Sequence, residues 1–217
     1  MNYRWKSGET IDMPIGKAVC VGRNYVEHAA ELGNQVPSEP LLFIKPSTSM
    51  ASASNIVALD NALGEHHYEA ELTLLVGKTL NKHNLDDYHE CILGVGVSLD
   101  LTLRDLQSEL KQKGHPWERA KAFDNSCLVS PFVPFSALEN TQSTFALTIN
   151  NETRQLGHVN DMIFDIKTLL SEIVKYFTLM PGDLVLTGTP KGVGKLVAKD
   201  NLSLYFNDTL LSSCQIQ

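Results

Sequence analysis

The chain has 217 residues and is 43% hydrophobic, which is enough to bury one sizeable core and predicts a single domain over residues 1–217. The formal net charge of −7 at pH 7, with lysine and arginine scattered along the chain, excludes the basic field that a nucleic-acid partner requires. The N-terminus lacks the apolar region of a signal peptide, no apolar run approaches the roughly 18 residues of a membrane span, and the cysteines are far apart, so we expect a cytoplasmic protein with reduced thiols.

Short apolar runs closed by glycine, proline or polar residues predict strands, and apolar residues three and four apart predict helices. In chain order the first elements are strand 18–21, helix 24–32 closed by Gly33 and Asn34, and strands 41–44, 68–76 and 92–99. The later elements are a helix with Leu103, Leu106 and Leu110, hairpin 144–150/151–155, a helix with Ile166, Leu169, Leu170, Ile173, Val174 and Phe177, strand 184–187, and hairpin 202–206/209–216. Many short strands and few helices predict an α+β fold that is mainly β.

Three carboxylates are candidates for a metal site. Glu69 and Glu71 are two residues apart in the strand predicted over 68–76, so both side chains leave the same face, with Cα atoms roughly 7 Å apart. Asp100 follows the apolar strand 92–99 and either points into a cleft or caps the next helix. A solvated acidic face is the alternative for the glutamate pair. Three oxygen ligands with room for water suit Mg²⁺ or Mn²⁺.

Polar and cationic side chains follow these carboxylates along the chain. Arg104 and Gln107 share one face of a predicted helix, where a guanidinium and an amide can bind a substrate carboxylate or carbonyl. The alternative is that Arg104 only pairs with Asp100 while Gln107 is solvated. Lys121 stands among apolar neighbours and is either a buried electrostatic anchor or a side chain that reaches solvent.

Two further features allow chemistry. His28 and Glu31 are three residues apart in the first predicted helix, so the carboxylate can orient the imidazole as a base for water; an ordinary surface pair is the alternative. The segment 187–194 contains three glycines and two threonines after a buried strand. It lacks the spacing of a phosphate loop, and it is predicted either to bind a carboxylate through backbone amides and hydroxyls or to be a tight connection.

Six segments in chain order carry a resemblance to a known family. They are 21–25 with His28 and Glu31, 43–46, 66–72, 100–107, 116–124 and 181–194. Together they closely resemble the fumarylacetoacetate hydrolase superfamily along nearly the whole chain. The short length and the Pro-Trp, Asn-Ser-Cys and Phe-Val-Pro stretches are most similar to its small acylpyruvase and oxaloacetate decarboxylase branch. The resemblance implies a mixed β-roll with a few short helices, and a homodimer.

The resemblance also implies roles for individual residues. Glu69, Glu71 and Asp100 would bind the metal, His28 and Glu31 would activate water, and Lys121 would hold and polarise the substrate. The residues expected to line the substrate site are Arg23, Tyr25, Arg104, Gln107 and Thr189. The chain departs from the longer members at two places: Val21-Gly22 stands where they have a fourth carboxylate ligand, and Lys199-Asp200 stands where Gly-Asp is usual.

A small 2-oxo acid that chelates the metal is the expected substrate, because the ion can stabilise an enolate formed when a bond at C3 breaks. The main hypothesis is hydrolysis of the C–C bond of 3-acylpyruvates such as fumarylpyruvate or acetylpyruvate. The alternative is oxaloacetate decarboxylation or keto–enol tautomerisation, which use the same enolate. A metal-binding or ligand-binding protein without turnover is the hypothesis from a different class.

Overall fold

The computed structural model describes residues 1–31, 33, 35–139 and 142–217. Its strands are β1 Ala18–Gly22, β2 Leu41–Lys45, β3 Met50–Ser52, β4 Asn55–Val57, β5 His66–Tyr68, β6 Ala70–Val76, β7 Ile92–Asp100, β8 Thr102–Leu103, β9 Cys127–Val129, β10 Val133–Pro134, β11 Thr144–Ile149, β12 Glu152–His158, β13 Leu184–Leu186, β14 Gly194–Lys195, β15 Asn201–Phe206 and β16 Thr209–Ile216. Its helices are α1 Val26–Glu31, α2 Tyr88–Cys91, α3 Arg104–Lys113, α4 Glu118–Lys121 and α5 Ile166–Tyr176.

The largest sheet has the order β2-β1-β13-β6-β7-β9-β3, with β10 also paired to β7. It is mixed, because β1 runs parallel to β13 and β3 runs parallel to β9 while the other neighbours are antiparallel. Every residue of β6 is buried, and β7 is buried except at Leu93. Both faces of the β6–β7 pair are therefore covered by other parts of the protein, as the nearly continuous apolar sequences of these two strands predict.

A second sheet has the order β12-β11-β15-β16-β4, and a small third sheet has the order β14-β5-β8. The main core is formed by side chains of both larger sheets together with the apolar stripe of α5. Helix α5 begins at its N-cap Asp165, whose carboxylate accepts the Thr168 N–H at 2.7 Å. The prediction of a mainly β fold with a few helices is confirmed.

Most of the predicted elements are found with small shifts at their ends. The Asn150-Asn151 turn takes the two positive φ angles expected of a tight hairpin, 53° and 66°. Lys199 has a φ of 75°, so it adopts the left-handed conformation that a glycine would take without strain. The first helix starts at Val26; the predicted helix end at Leu32 and the closing residue Asn34 lie outside the described residues.

The strand predicted over 68–76 is divided at Glu69. Before this residue β5 pairs with β14 and β8, and after it β6 joins the main sheet between β13 and β7. The prediction of one continuous strand was wrong. The chain passes from one sheet to another at this point, and no local sequence pattern indicates such a change. None of the described helices combines the length and the apolar character needed to cross a bilayer.

Candidate active site

Three carboxylates meet where β6 and β7 lie side by side. The register pairs Ala70 with Leu99, and the Asp100 N–H donates to the Glu69 carbonyl at 2.8 Å. Glu69, Glu71 and Asp100 are each at most 5% exposed, and their ligand oxygens lie within 4.8 Å of one another. Strand pairing therefore collects the predicted metal-binding set, although its members are up to 31 residues apart in sequence.

Two buried lysines neutralise part of this negative charge. Lys121, on the short helix α4, donates to Glu69 Oε2 at 2.7 Å and to Asp100 Oδ2 at 2.6 Å. Lys45, at the end of β2, is fully buried and places its Nζ 2.8 Å from Asp100 Oδ1. It also donates to the Ser126 carbonyl and hydroxyl, both at 3.0 Å. Lys121 is therefore a buried anchor and not a side chain that reaches solvent.

Lys45 was missed among the predicted site residues. Lys45 lies in the segment 43–46 that carries the family resemblance, but a lysine at the end of a strand ordinarily extends its ammonium into water. The available signal was its position directly before Pro46, at the close of an apolar run. Its burial depends on contacts with residues more than fifty positions away, and local patterns carry no information on those.

Arg104 joins the carboxylates through Glu69. Its guanidinium donates to Glu69 Oε1 and, at 2.8 Å, to the Gln107 amide oxygen. Gln107 is 9% exposed, so the alternative in which Arg104 pairs with Asp100 and Gln107 is solvated is not what the structure shows. Burial opposes ionisation of Glu69, but the charges of Lys121 and Arg104 outweigh it and hold the pKa of Glu69 well below its usual range.

Glu71 is the carboxylate without a cationic partner. Burial, followed by the charges of Asp100 and Glu69, raises its pKa well above the usual range. No salt bridge reaches Glu71 within the described part of the chain; its Oε2 accepts the Gly188 N–H at 2.7 Å. Gly188 has a φ of 97°, and a Cβ there would stand 2.6 Å from the Asn24 Cβ. A side chain at this position would therefore displace the backbone and break the hydrogen bond to Glu71.

A divalent cation fits these residues. Asp100 Oδ1 is buried, and the nearby Lys45 ammonium lies outside hydrogen-bonding geometry, so among the described groups this oxygen accepts no hydrogen bond. For Glu71, burial and the charges of Asp100 and Glu69 outweigh the opposing effects of Lys121 and the Gly188 N–H, so the carboxylate form is poorly stabilised by the groups around it. A hard ion such as Mg²⁺ or Mn²⁺ prefers oxygen ligands of this kind. Glu69, Glu71 and Asp100 are the residues that would hold it.

The His28–Glu31 pair lies on α1. His28 is 4% exposed, and its Nδ1 is 3.3 Å from Glu31 Oε2. Glu31 also accepts the Gly192 N–H, at 3.1 Å from Oε1. Glu27, on the same helix, lies 3.1 Å from the Lys191 ammonium. Helix α1 is thus attached to the loop that precedes β14, and this attachment orients the imidazole; a free surface pair is not what the structure shows.

The backbone amides of segment 187–194 bind carboxylates of the protein itself. The Gly188 amide binds Glu71 and the Gly192 amide binds Glu31. The Thr189 hydroxyl donates to the Ala70 carbonyl at 2.8 Å. We predicted a cradle for a substrate carboxylate or a tight connection, and the segment instead fixes the candidate metal ligand and the histidine's partner.

A cleft that is partly open to solvent connects these groups. The predicted site residues that line it are Arg23, His28, Glu69, Glu71, Asp100, Arg104, Gln107, Lys121 and Thr189. Tyr25 is not among them. Its hydroxyl donates to the His158 carbonyl at 3.2 Å, and its ring packs edge-on against Phe145 at 6.3 Å. The structure therefore places Tyr25 in the support of the site and not on its surface.

Replacing Lys121 with methionine should test whether this ammonium balances the carboxylates. In metal-free protein the change removes one of the two cations beside each of Glu69 and Asp100, while Arg104 and Lys45 remain, so we expect a loss of about 1–3 kcal/mol in the free energy of unfolding. Saturating Mg²⁺ should recover much of that loss, because the ion supplies positive charge in the same place. Thermal unfolding with EDTA and with Mg²⁺ measures both values. Equal losses in the two conditions would contradict this role.

Comparisons with known proteins identify the family and the relatives of this chain. Residues 17–215 match the family model described as fumarylacetoacetate (FAA) hydrolase, C-terminal. The chain is 44% identical over 214 residues to oxaloacetate tautomerase YcgM of Escherichia coli (strain K12), covering 98% of this chain and 97% of that protein. It is 37% identical over 214 residues to the mitochondrial oxaloacetate tautomerase FAHD1 of Bos taurus, covering 98% and 94%.

A solved structure gives the same result for the fold. The crystal structure of fumarylpyruvate hydrolase from Pseudomonas aeruginosa, in complex with Mn²⁺ and pyruvate, superposes with a TM-score of 0.88 at 32% identity. The match covers 100% of this chain and 95% of that one. That enzyme holds a divalent ion and a 2-oxo acid together.

Proposed function

This chain belongs to the fumarylacetoacetate hydrolase family, and from that premise we propose that it is an oxaloacetate keto–enol tautomerase that works with Mg²⁺ or Mn²⁺. The observation that carries the proposal is the identity of 44% to an oxaloacetate tautomerase over nearly the full length of both chains. A homodimer and a cytoplasmic location, both expected from the sequence, stay predictions.

The comparisons reverse the order of the two hypotheses drawn from the sequence. Acylpyruvate hydrolysis was the main hypothesis, and oxaloacetate chemistry was the alternative. The relatives with 44% and 37% identity are oxaloacetate tautomerases, whereas the fumarylpyruvate hydrolase is 32% identical. The alternative is therefore better supported than the main hypothesis. Residue patterns do not separate the two, because both reactions use a 2-oxo acid and an enolate.

The residues of the cleft suit a proton transfer. When bound by Glu69, Glu71 and Asp100, a divalent ion would stabilise negative charge on the C2 oxygen of the substrate. In tautomerisation a proton leaves C3 and a proton is gained at that oxygen. His28 is the only imidazole among the described residues that line the cleft, and an imidazole can both accept and donate a proton through its ring nitrogens. With Nδ1–H donating a hydrogen bond to the Glu31 carboxylate, Nε2 is the nitrogen left to carry protons to and from the substrate.

The positive side chains of the cleft would orient the substrate. Lys121 and Arg104 stand on the Glu69 side of the cluster and present cations toward the bound anion. Gln107 fixes the Arg104 guanidinium through its amide oxygen. Phe43 and Trp117 line the same cleft with apolar surface and exclude water from part of it. Exclusion of water strengthens every electrostatic contact within the site.

Acylpyruvate hydrolysis is the second candidate, and a specific observation favours it. The Mn²⁺ and pyruvate complex of the fumarylpyruvate hydrolase shares the fold over the whole chain. The His28–Glu31 pair can equally activate a water molecule for attack on a C4 carbonyl. The two candidates differ in whether a C–C bond breaks, and this can be measured directly.

The deciding experiment measures both reactions on the same metal-loaded protein. Tautomerisation is followed by the loss of ultraviolet absorbance of enol-oxaloacetate above the spontaneous rate. Hydrolysis is followed by release of pyruvate from fumarylpyruvate and acetylpyruvate, and decarboxylation by release of pyruvate from oxaloacetate. We expect tautomerisation to have the highest kcat/KM. Faster pyruvate release from an acylpyruvate would overturn the proposal in favour of the hydrolase.

A further inference from the structure

The candidate carboxylate ligands and the mouth of the cleft differ in charge. Beside Lys121, the cations that line the cleft are Arg23, Arg104 and Lys111. Arg104 and Lys111 are seven residues apart on α3, which is about two turns, so they share a face. Both side chains line the cleft from that face. Helix α3 thus presents two cations to one cavity.

Arg23 approaches the same cavity from β1. It follows Gly22 and has a φ of 60°, a left-handed conformation uncommon for a residue with a Cβ. Arg104 pairs with Glu69, but no carboxylate is paired with Arg23 among the residues that the structure describes. Strained backbone that aims a charged side chain into a cleft is typical of functional positions. Arg23 is therefore placed to receive an anion that comes from outside the chain.

The electrostatics of Lys111 support a shared position. Burial, followed by the charges of Arg23 and Arg104, lowers the pKa of Lys111. Because Arg23, Arg104 and Lys111 line one cleft, their like charges repel one another there. An anion bound among them would relieve that repulsion. The protein's own candidate metal ligands are already balanced in part by Lys45 and Lys121.

We infer that Arg23 and Lys111 bind the second carboxylate of a short 2-oxo dicarboxylic acid, at the end of the molecule opposite its 2-oxo acid group. This inference rests on the proposed function, which places the 2-oxo acid group beside Glu69, Glu71 and Asp100. For oxaloacetate the second carboxylate is at C4. A carboxylate that leaves water needs a cationic partner, and a fork of guanidinium donors suits its geometry. The pair selects diacids over 2-oxo acids with an uncharged end.

A pair of substrates isolates this contact. Oxaloacetate and its 4-methyl ester share the 2-oxo acid group and the enolisable C3, but only oxaloacetate is charged at C4. We expect Arg23→Gln to lower kcat/KM for oxaloacetate by about 10- to 100-fold, chiefly through KM, as for the loss of a charge-assisted hydrogen bond. The value for the ester should stay within about threefold. Lys111→Gln should act in the same direction with a smaller effect.

Lys113→Gln is the matched control. Lys113 is on the same helix as Lys111 but points elsewhere, and it pairs with Glu109 at 2.6 Å on the exposed surface. Lys113→Gln removes one positive charge, as Lys111→Gln does. If the protein merely attracted anions less, the loss would therefore appear in both variants. Equal losses for Lys113→Gln and Lys111→Gln would overturn the inference. So would a fall of the same size for the diacid and the ester in Arg23→Gln.

Measurements of ligand affinity test this inference independently of the proposed function, because they do not require turnover. Calorimetric titration of Mn²⁺-loaded protein with oxaloacetate and with pyruvate compares ligands with and without the second carboxylate. If the wild type does not tautomerise but Arg23→Gln still weakens oxaloacetate binding selectively, the function fails and the inference stands. If the wild type tautomerises oxaloacetate but Arg23→Gln does not weaken oxaloacetate binding more than pyruvate binding, the proposed function stands and the inference fails. Should Arg23→Gln unfold, Arg23→Lys and Lys111→Gln decide the question by the same ratio of affinities.

Discussion

Replacing Glu71 with glutamine should abolish tight binding of Mg²⁺ or Mn²⁺ and lower kcat/KM by about 10³-fold or more, since the ion supplies several kcal/mol of charge stabilisation. The same change should leave the metal-free protein as stable as the wild type or more so. Glu71 is buried beside two other carboxylates, so replacing it with a neutral side chain removes the cost of burying its charge and its repulsion by Asp100 and Glu69. We expect a melting temperature a few degrees higher in EDTA, at about 2–4 °C per kcal/mol for a domain of this size.

Asp100 gives the contrasting result. Asp100→Asn should also abolish metal binding, but it leaves Lys45 and Lys121 buried without a full counter-charge, so the metal-free protein should lose stability. Opposite signs of the stability change, with the same loss of metal, would identify the two roles. The measurements are calorimetric titration with Mg²⁺ and thermal unfolding in EDTA. Glu65→Gln is the control, because Glu65 lies on the surface and pairs with Lys195. Unchanged Mg²⁺ affinity in both variants would refute the site.

The metal affinity of the wild type should also rise with pH. The folded-state pKa of Glu71 is raised, so below that pKa the carboxyl group holds a proton that an incoming ion must displace. In metal-free protein the sign for stability is the reverse. A raised acid pKa means that the folded state binds more protons than the unfolded state, so stability falls as pH rises through it. Glu71→Gln should remove both dependences.

The candidate site could be assembled from the sequence only in part. The two-residue spacing of Glu69 and Glu71 and the position of Asp100 at a strand end are local signals, and they identified the acidic set. The balance of charge around that set could not be predicted. Lys45 reaches Asp100 only because β2 is antiparallel to β1 in the sheet that also contains β7, and such pairings are set by long-range packing.

The fold shows the same division. Helix α5 and the two hairpins were predicted because an apolar stripe and an Asn-rich turn are contained within a few residues. The change of sheet at Glu69 was not, because β5 pairs with Lys195, a residue more than a hundred positions away. Tyr25 was placed on the substrate surface by family resemblance alone. Its phenol instead bonds to His158, a contact that no pattern around residue 25 indicates.

His28→Asn should lower tautomerisation of oxaloacetate by about 10²- to 10⁴-fold, the usual effect of losing a positioned acid–base group. Mg²⁺ affinity should be unchanged, because His28 is not among the carboxylates that would hold the ion. Hydrolysis of an acylpyruvate, if the protein has any, should fall by a similar factor, since it also needs a base. Decarboxylation of oxaloacetate needs chiefly a place for negative charge at the C2 oxygen, and it should fall much less.

The pattern across the three reactions decides what His28 does. If all three fall by the same factor with the metal site intact, His28 is not a proton carrier but part of a helix whose closure positions every substrate alike. Glu27→Gln supplies the comparison, because it weakens the contact of α1 with Lys191 while leaving the His28–Glu31 pair in place. An exposed ion pair contributes about 0–1 kcal/mol, so this control should lose no more than about fivefold. A loss in Glu27→Gln as large as that in His28→Asn would assign the effect to the docking of α1, whereas a selective loss in His28→Asn assigns it to the imidazole.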